Sequence, residues 1–206
     1  MSFNRDIQLD PNRVQTRSGG GRGAMIGGGS ILTVIAVVLI SQLTGVDLTS
    51  MLGAQQQTGT TTSTASSIDT SVCTSGDSAN KYTQCRMVAT AESLDAVWTE
   101  QLSSQAGLKY AKPEFVLWDG TQISSACGSA SSAVGPFYCS GDQTVYLDMS
   151  FFSEMERSLG ATDTPLAEEY IVAHEFGHHI QHLTGQMAKA DRSGSGATSD
   201  SVRLEL

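Results

Sequence analysis

His174 and His178 stand four residues apart with Glu175 beside the first of them, a spacing that constrains this stretch to an α-helix. Residues four apart lie one above the other on a helical face, so the two imidazoles can converge on one metal ion. Glu175 is turned about 100° from His174 by the 3.6-residue repeat. From there its carboxylate can reach a water beside the ion more easily than the ion itself, which is the place of a general base. The pattern His-Glu-x-x-His therefore points to a zinc hydrolase site.

Two further histidines follow, His179 and His182. His182 is eight residues from His174, roughly 12 Å along a straight helix, too far for one ion to bind both. A longer three-histidine pattern would place Gly and His where this chain has Gln181 and Thr184, so that pattern is excluded. His179 points to a different face from His178 and reads as a packed or supporting residue. Around the motif, Ile171, Val172, Ala173, Phe176, Gly177 and Ile180 are uncharged, as in a helix buried on either side of a metal-binding stripe. Thr164 and Pro165 suit the helix start and Gly185 its end. A third protein ligand must come from elsewhere. Downstream, Glu205 is the acidic residue in an apolar, helix-compatible setting, Ser201-Val202-Arg203-Leu204-Glu205-Leu206.

Several other motifs appear in a fixed order: Ala126-Cys127-Gly128, Val134-Gly135-Pro136-Phe137-Tyr138-Cys139, Val145-Tyr146-Leu147-Asp148, the His174 run, and Ser201 to Glu205. In these residues the chain closely resembles the neutral zinc metallopeptidases, a family of bacterial single-pass membrane proteins, over nearly its whole length. The resemblance implies a zincin-like domain in which His174, His178 and Glu205 hold Zn²⁺ and Glu175 takes a proton from the attacking water. It also implies a supporting Asp four residues after Glu205, beyond Leu206, so that the chain would lack the end of its catalytic domain. The substrate implied is a peptide or protein. A non-catalytic, membrane-tethered zinc-binding or interaction module is the alternative reading.

The chain divides into four zones. Residues 1–24 are polar, with four arginines against two aspartates. Met25 to Leu43 is a run of 19 residues without charge, about the length that one bilayer crossing needs, and a transmembrane helix is expected over 25–46. The arginines precede it, which predicts a cytoplasmic N-terminus and an extracytoplasmic catalytic domain. Residues 47–70, rich in Gln, Ser and Thr, read as a flexible linker. Residues 71–206 form one metallopeptidase domain. Removing the N-terminal charges from the totals of 12 basic and 21 acidic residues leaves 8 and 19, an acidity that argues against nucleic-acid binding.

Four cysteines allow three pairings. Cys73 with Cys85 and Cys127 with Cys139 are favoured because each closes one small unit, and export makes disulfides chemically reasonable. A helical period places Met87, Val88, Ala91, Leu94, Val97, Trp98 and Leu102 on one stripe. Phe115 to Trp118 reads as a strand, and Phe137 to Leu147 as a hairpin turning at Ser140-Gly141-Asp142. A helix over Phe151 to Leu159 then leads into the metal helix. The fold class is α+β, helices with a small antiparallel sheet or hairpin. By the same resemblance, Val145 to Asp148 is the candidate strand to hold an extended peptide, with a core strand as the equal alternative. Tyr138 or Tyr146 is a candidate donor to the oxyanion.

Overall fold

Phe115-Val116-Leu117-Trp118 and Val145-Tyr146-Leu147 are apolar at every position, the pattern of strands covered on both faces. Both lie inside a four-stranded sheet. In the computed structural model, which describes residues 2–19, 68–159, 164–190 and 204–205, β1 (Gln15–Gly19), β2 (Glu114–Gly120), β5 (Phe137–Cys139) and β6 (Thr144–Asp148) form this sheet in the order β1-β2-β6-β5. β3 (Gln122–Ser125) and β4 (Gly128–Ser131) make a separate antiparallel hairpin. The helices are α1 (Gly76–Lys81), α2 (Thr83–Ala106), α3 (Phe151–Leu159), α4 (Pro165–Leu183) and α5 (Gln186–Lys189). The fold is α+β, as expected.

Alternation along the strands divides the core. Phe115, Leu117, Val145 and Leu147 pack with Met87, Val88 and Ala91 of α2 and Val172 and Phe176 of α4. Phe115 meets Phe176 edge to face at 6.1 Å. On the other face Val116, Trp118 and Tyr146 cluster with Ile123 and Ala130 of the β3–β4 hairpin. Cys73 is bonded to Cys85 and Cys127 to Cys139. By the chain-entropy account, closing a loop of this size restricts the unfolded chain by about 3 kcal/mol. The second bond ties β5 to the loop between β3 and β4.

Three details correct the sequence reading. The sheet is mixed: β1, β2 and β6 are parallel, and β5 alone runs antiparallel, as the far arm of the expected hairpin. On α2 the buried stripe passes through Asp95. Val97, two residues or about 200° further round, is accordingly 49 % exposed. Finally, residues 2–19 are no tail set apart from the domain. They supply β1 and belong to the same folded unit as residues 66–206. No apolar pattern announces this strand, because Gln-Thr-Arg-Ser-Gly pairs through its backbone. The expected span over 25–46 and nearly all of the 47–70 linker lie outside the described residues. Among the described residues no helix is long and apolar enough to cross a membrane.

Candidate metal centre

α4 carries the site, and its start is specified locally. The Thr164 hydroxyl accepts from the Ala167 N–H, Pro165 takes the first helical position, and Gly185 follows the helix at φ 73°. Val172, Phe176 and His179 are buried in the domain, and burying that face turns His174 and His178 together toward an open cavity of about 540 Å³. Glu205 enters the same cavity from the far end of the chain.

The three candidate ligand atoms form a nearly equilateral triangle. His174 Nε2 lies 3.1 Å from His178 Nε2, and Glu205 Oε2 lies 3.2 Å and 3.3 Å from the two. A tetrahedron whose corners lie about 2.0–2.1 Å from its centre has edges of about 3.3–3.4 Å, so the spacing fits a zinc ion. Among the described residues this is the one group of three His, Cys, Asp or Glu residues so arranged. The structure thus brings together the three residues that the sequence proposed.

Gln181, which the sequence reading used only to exclude a longer motif, proves to hold the site together. Its side-chain Oε1 accepts from His178 Nδ1 at 3.0 Å, while its Nε2 donates to the Leu204 carbonyl at 2.7 Å. The first bond puts the His178 proton on Nδ1 and leaves a lone pair on Nε2 facing the triangle, the form a metal ligand requires. The second bond fixes the backbone next to Glu205. One side chain thereby orients two ligands, and its position three residues after His178, on the same helical face, was the available signal. Gln181→Met keeps the size and removes both bonds. Zinc affinity is expected to fall about 10–100-fold, read by competition with a chelating dye; unchanged affinity would show that Gln181 does not orient the ligands.

Glu175 is buried beside the triangle. Burial pushes its carboxyl above the ordinary range, while His178 and His174 pull it down and the Tyr138 backbone N–H donates to it. That N–H belongs to β5, the outer strand of the sheet. Groups on the open edge of β5 recur every second residue, at Pro136, Tyr138 and Ser140, and all three residues line the cavity. Val145 to Asp148, the candidate peptide-binding strand, is instead β6, fully buried between β2 and β5. It has no free edge to offer.

The two tyrosines separate as well. Tyr146 donates to Asp142 Oδ2 at 2.9 Å, whereas Tyr138 lines the cavity. His179 is fully buried, and that burial pushes its pKa down, so the ring is neutral. Its Nε2 donates to the Ala111 carbonyl at 2.6 Å, leaving Nδ1 to accept the Tyr138 hydroxyl proton at 2.9 Å. Burial, with the charge of Asp142, pushes the Tyr138 phenol up to about 12. Its proton is therefore retained and already committed to His179, and His179 acts as a strut between α4 and β5. His182 packs against the Tyr138 ring at 6.2 Å.

The family model described as "Putative neutral zinc metallopeptidase" matches residues 6–206. The chain belongs to that family. This metallopeptidase-family chain is 44 % identical over 166 residues to an uncharacterized protein of Mycobacterium tuberculosis, a match spanning 81 % of the chain and 54 % of the relative. An uncharacterized protein of Mycobacterium bovis matches to the same extent. The uncharacterized protein YpfJ of Escherichia coli is 36 % identical over 187 residues, spanning 87 % of this chain and 59 % of YpfJ. The family member described here thus spans little more than half the length of these relatives. No solved structure matches it.

Proposed function

We propose that this chain carries the metal site of a zinc-dependent peptidase that works beside a membrane, with His174, His178 and Glu205 as ligands and Glu175 as the proton-transfer group. The observation that carries the reading is the ligand triangle with edges of 3.1–3.3 Å beside a buried carboxylate. When bound, Zn²⁺ supplies Lewis-acid polarisation of the scissile carbonyl and acidifies water. Glu175 takes the proton from the attacking water and returns it to the leaving amine. The edge of β5 holds an extended peptide through the backbone groups that its Tyr138 N–H, given to Glu175, leaves over. The short edge and its Pro136 limit this pairing to a few residues.

The test is zinc content after dialysis, measured on the folded chain and on His178→Ala. One zinc per chain in the parent, lost in the variant, is the expected outcome. Several ions per chain, with no dependence on His178, would instead favour the non-catalytic zinc-binding module.

A further inference from the structure

The metal helix carries two stripes of side chains, each repeating after four and then three residues. His174, His178 and Gln181 make the first, which serves the triangle. Glu175, His179 and His182 make the second, one residue on and so about 100° round the helix. All three members of the second stripe meet one residue of the outer strand, Tyr138. Glu175 accepts its backbone N–H, His179 Nδ1 accepts its hydroxyl proton at 2.9 Å, and the His182 ring lies 6.2 Å from its ring. The His179 and Tyr138 rings themselves meet edge to face at 5.4 Å.

His179 is in turn held from behind. Its Nε2 donates to the Ala111 carbonyl at 2.6 Å, and its ring packs edge-on against Tyr110 at 6.1 Å. The residues on either side of Ala111 are both tied to Asp95 of α2, which is buried. The Tyr110 hydroxyl donates to Asp95 Oδ1 at 2.9 Å, and Lys112 Nζ lies 3.1 Å from Oδ2. The Ala111 carbonyl therefore has a fixed place, and it fixes the tautomer and the ring plane of His179. A continuous set of hydrogen bonds thus runs from α2 through residues 110–112 and His179 to β5.

β5 has need of such a support. It is three residues long and is paired with one strand only, β6. Its disulfide leads to the loop between β3 and β4, away from the metal helix. The bonds from Tyr138 to His179 and Glu175 are what tie it to α4. Pro136, Tyr138 and Ser140 on its edge line the same cavity as the ligand triangle, so these bonds also place whatever peptide lies along that edge.

We propose that His179 is a positioning residue: through the Tyr138 hydroxyl it sets the β5 edge at a fixed distance from the metal helix, and so holds an extended peptide in register with the ligand triangle and Glu175. The Tyr138 hydroxyl then serves this strut and not the oxyanion. The effect on substrate rests on the peptidase reading above; the strut itself does not.

The experiment compares the zinc-loaded chain with Tyr138→Phe, which keeps the ring and removes only the hydroxyl, with His179→Leu, and with the double variant. Hydrolysis of an extended peptide, zinc affinity and amide hydrogen exchange of β5 are measured on each. KM is expected to rise about tenfold in both single variants, the worth of one hydrogen bond. Zinc affinity and kcat should stay within about twofold of the parent. The double variant should be no worse than His179→Leu, because both changes cut the same bond. Exchange of the β5 amides should quicken about tenfold in all three. A fall in kcat at unchanged KM in Tyr138→Phe, absent from His179→Leu, would make the hydroxyl a transition-state donor and overturn the proposal. Exchange needs no turnover, so unchanged β5 exchange in Tyr138→Phe overturns it even in a chain that hydrolyses nothing. Faster exchange without hydrolysis upholds the strut and fails the peptidase reading instead.

Discussion

Glu175→Gln is expected to lower peptide hydrolysis about 10²–10⁴-fold, the usual contribution of a positioned acid–base group. Zinc affinity should be unchanged. The substitution is almost isosteric, and an amide oxygen can still accept the Tyr138 backbone N–H that the carboxylate receives. What disappears is the ability to take a proton. Glu175 lies one residue from His174 and so about 100° round the helix, outside the triangle of His174, His178 and Glu205, which is why the ligand set should survive. Burial raises its proton affinity while the neighbouring histidines moderate it, and a proton-transfer group works best near the operating pH. The measurement is kcat/KM on a peptide library alongside a zinc titration of the same preparation. A variant that hydrolyses normally would remove Glu175 from the chemistry. One that loses zinc as well would make it a ligand or a structural support instead.

The metal helix was legible because its signals are local: Thr164, Pro165, the apolar flanks and Gly185 all act within a few residues of one another. His174 and His178 needed only the helical period, and the hairpin needed only its turn. What escaped was carried by pairing between distant residues. β1 has no apolar alternation and is defined by hydrogen bonds to a strand about a hundred residues away, so its polar composition read as a tail. β6 was recognised as a strand, but its place inside the sheet depends on β2 and β5, and only that placement decides which strand offers an edge. Gln181 lay in plain view at the right spacing and was missed because its partners, His178 and Leu204, come from both sides of a long sequence gap. Polar residues on helix faces are ordinarily solvated, and Arg86, Asp95 and Glu168 gave no local sign that they are buried.

Glu168→Ala should destabilise the fold by about 3–5 kcal/mol. Glu168 lies in the first turn of α4 and is 2 % exposed; Arg86 on α2 is 8 % exposed. Arg86 donates to Glu168 Oε2, and the Thr83 hydroxyl donates to Oε1 at 3.3 Å. The pair joins the two helices that cover one face of the sheet, one of which carries His174 and His178. Removing the carboxylate leaves a guanidinium out of water without its counter-charge, and it also removes a negative group from a helix N-terminus, a further cost of about 0.3–1 kcal/mol. Set against a total stability of about 5–15 kcal/mol for a domain, this can unfold the chain. The double change Arg86→Met with Glu168→Leu separates the cost of an orphaned charge from the worth of the pair. Replacing a whole buried ion pair with apolar side chains is often neutral or stabilising by about 1–4 kcal/mol, so the double variant should recover most of the loss. Urea unfolding of the three chains, with and without zinc, reads this directly. If Glu168→Ala unfolds within about 1 kcal/mol of the parent, the pair has the strength of a surface contact, and packing of Val172 and Phe176 alone would hold the metal helix in place.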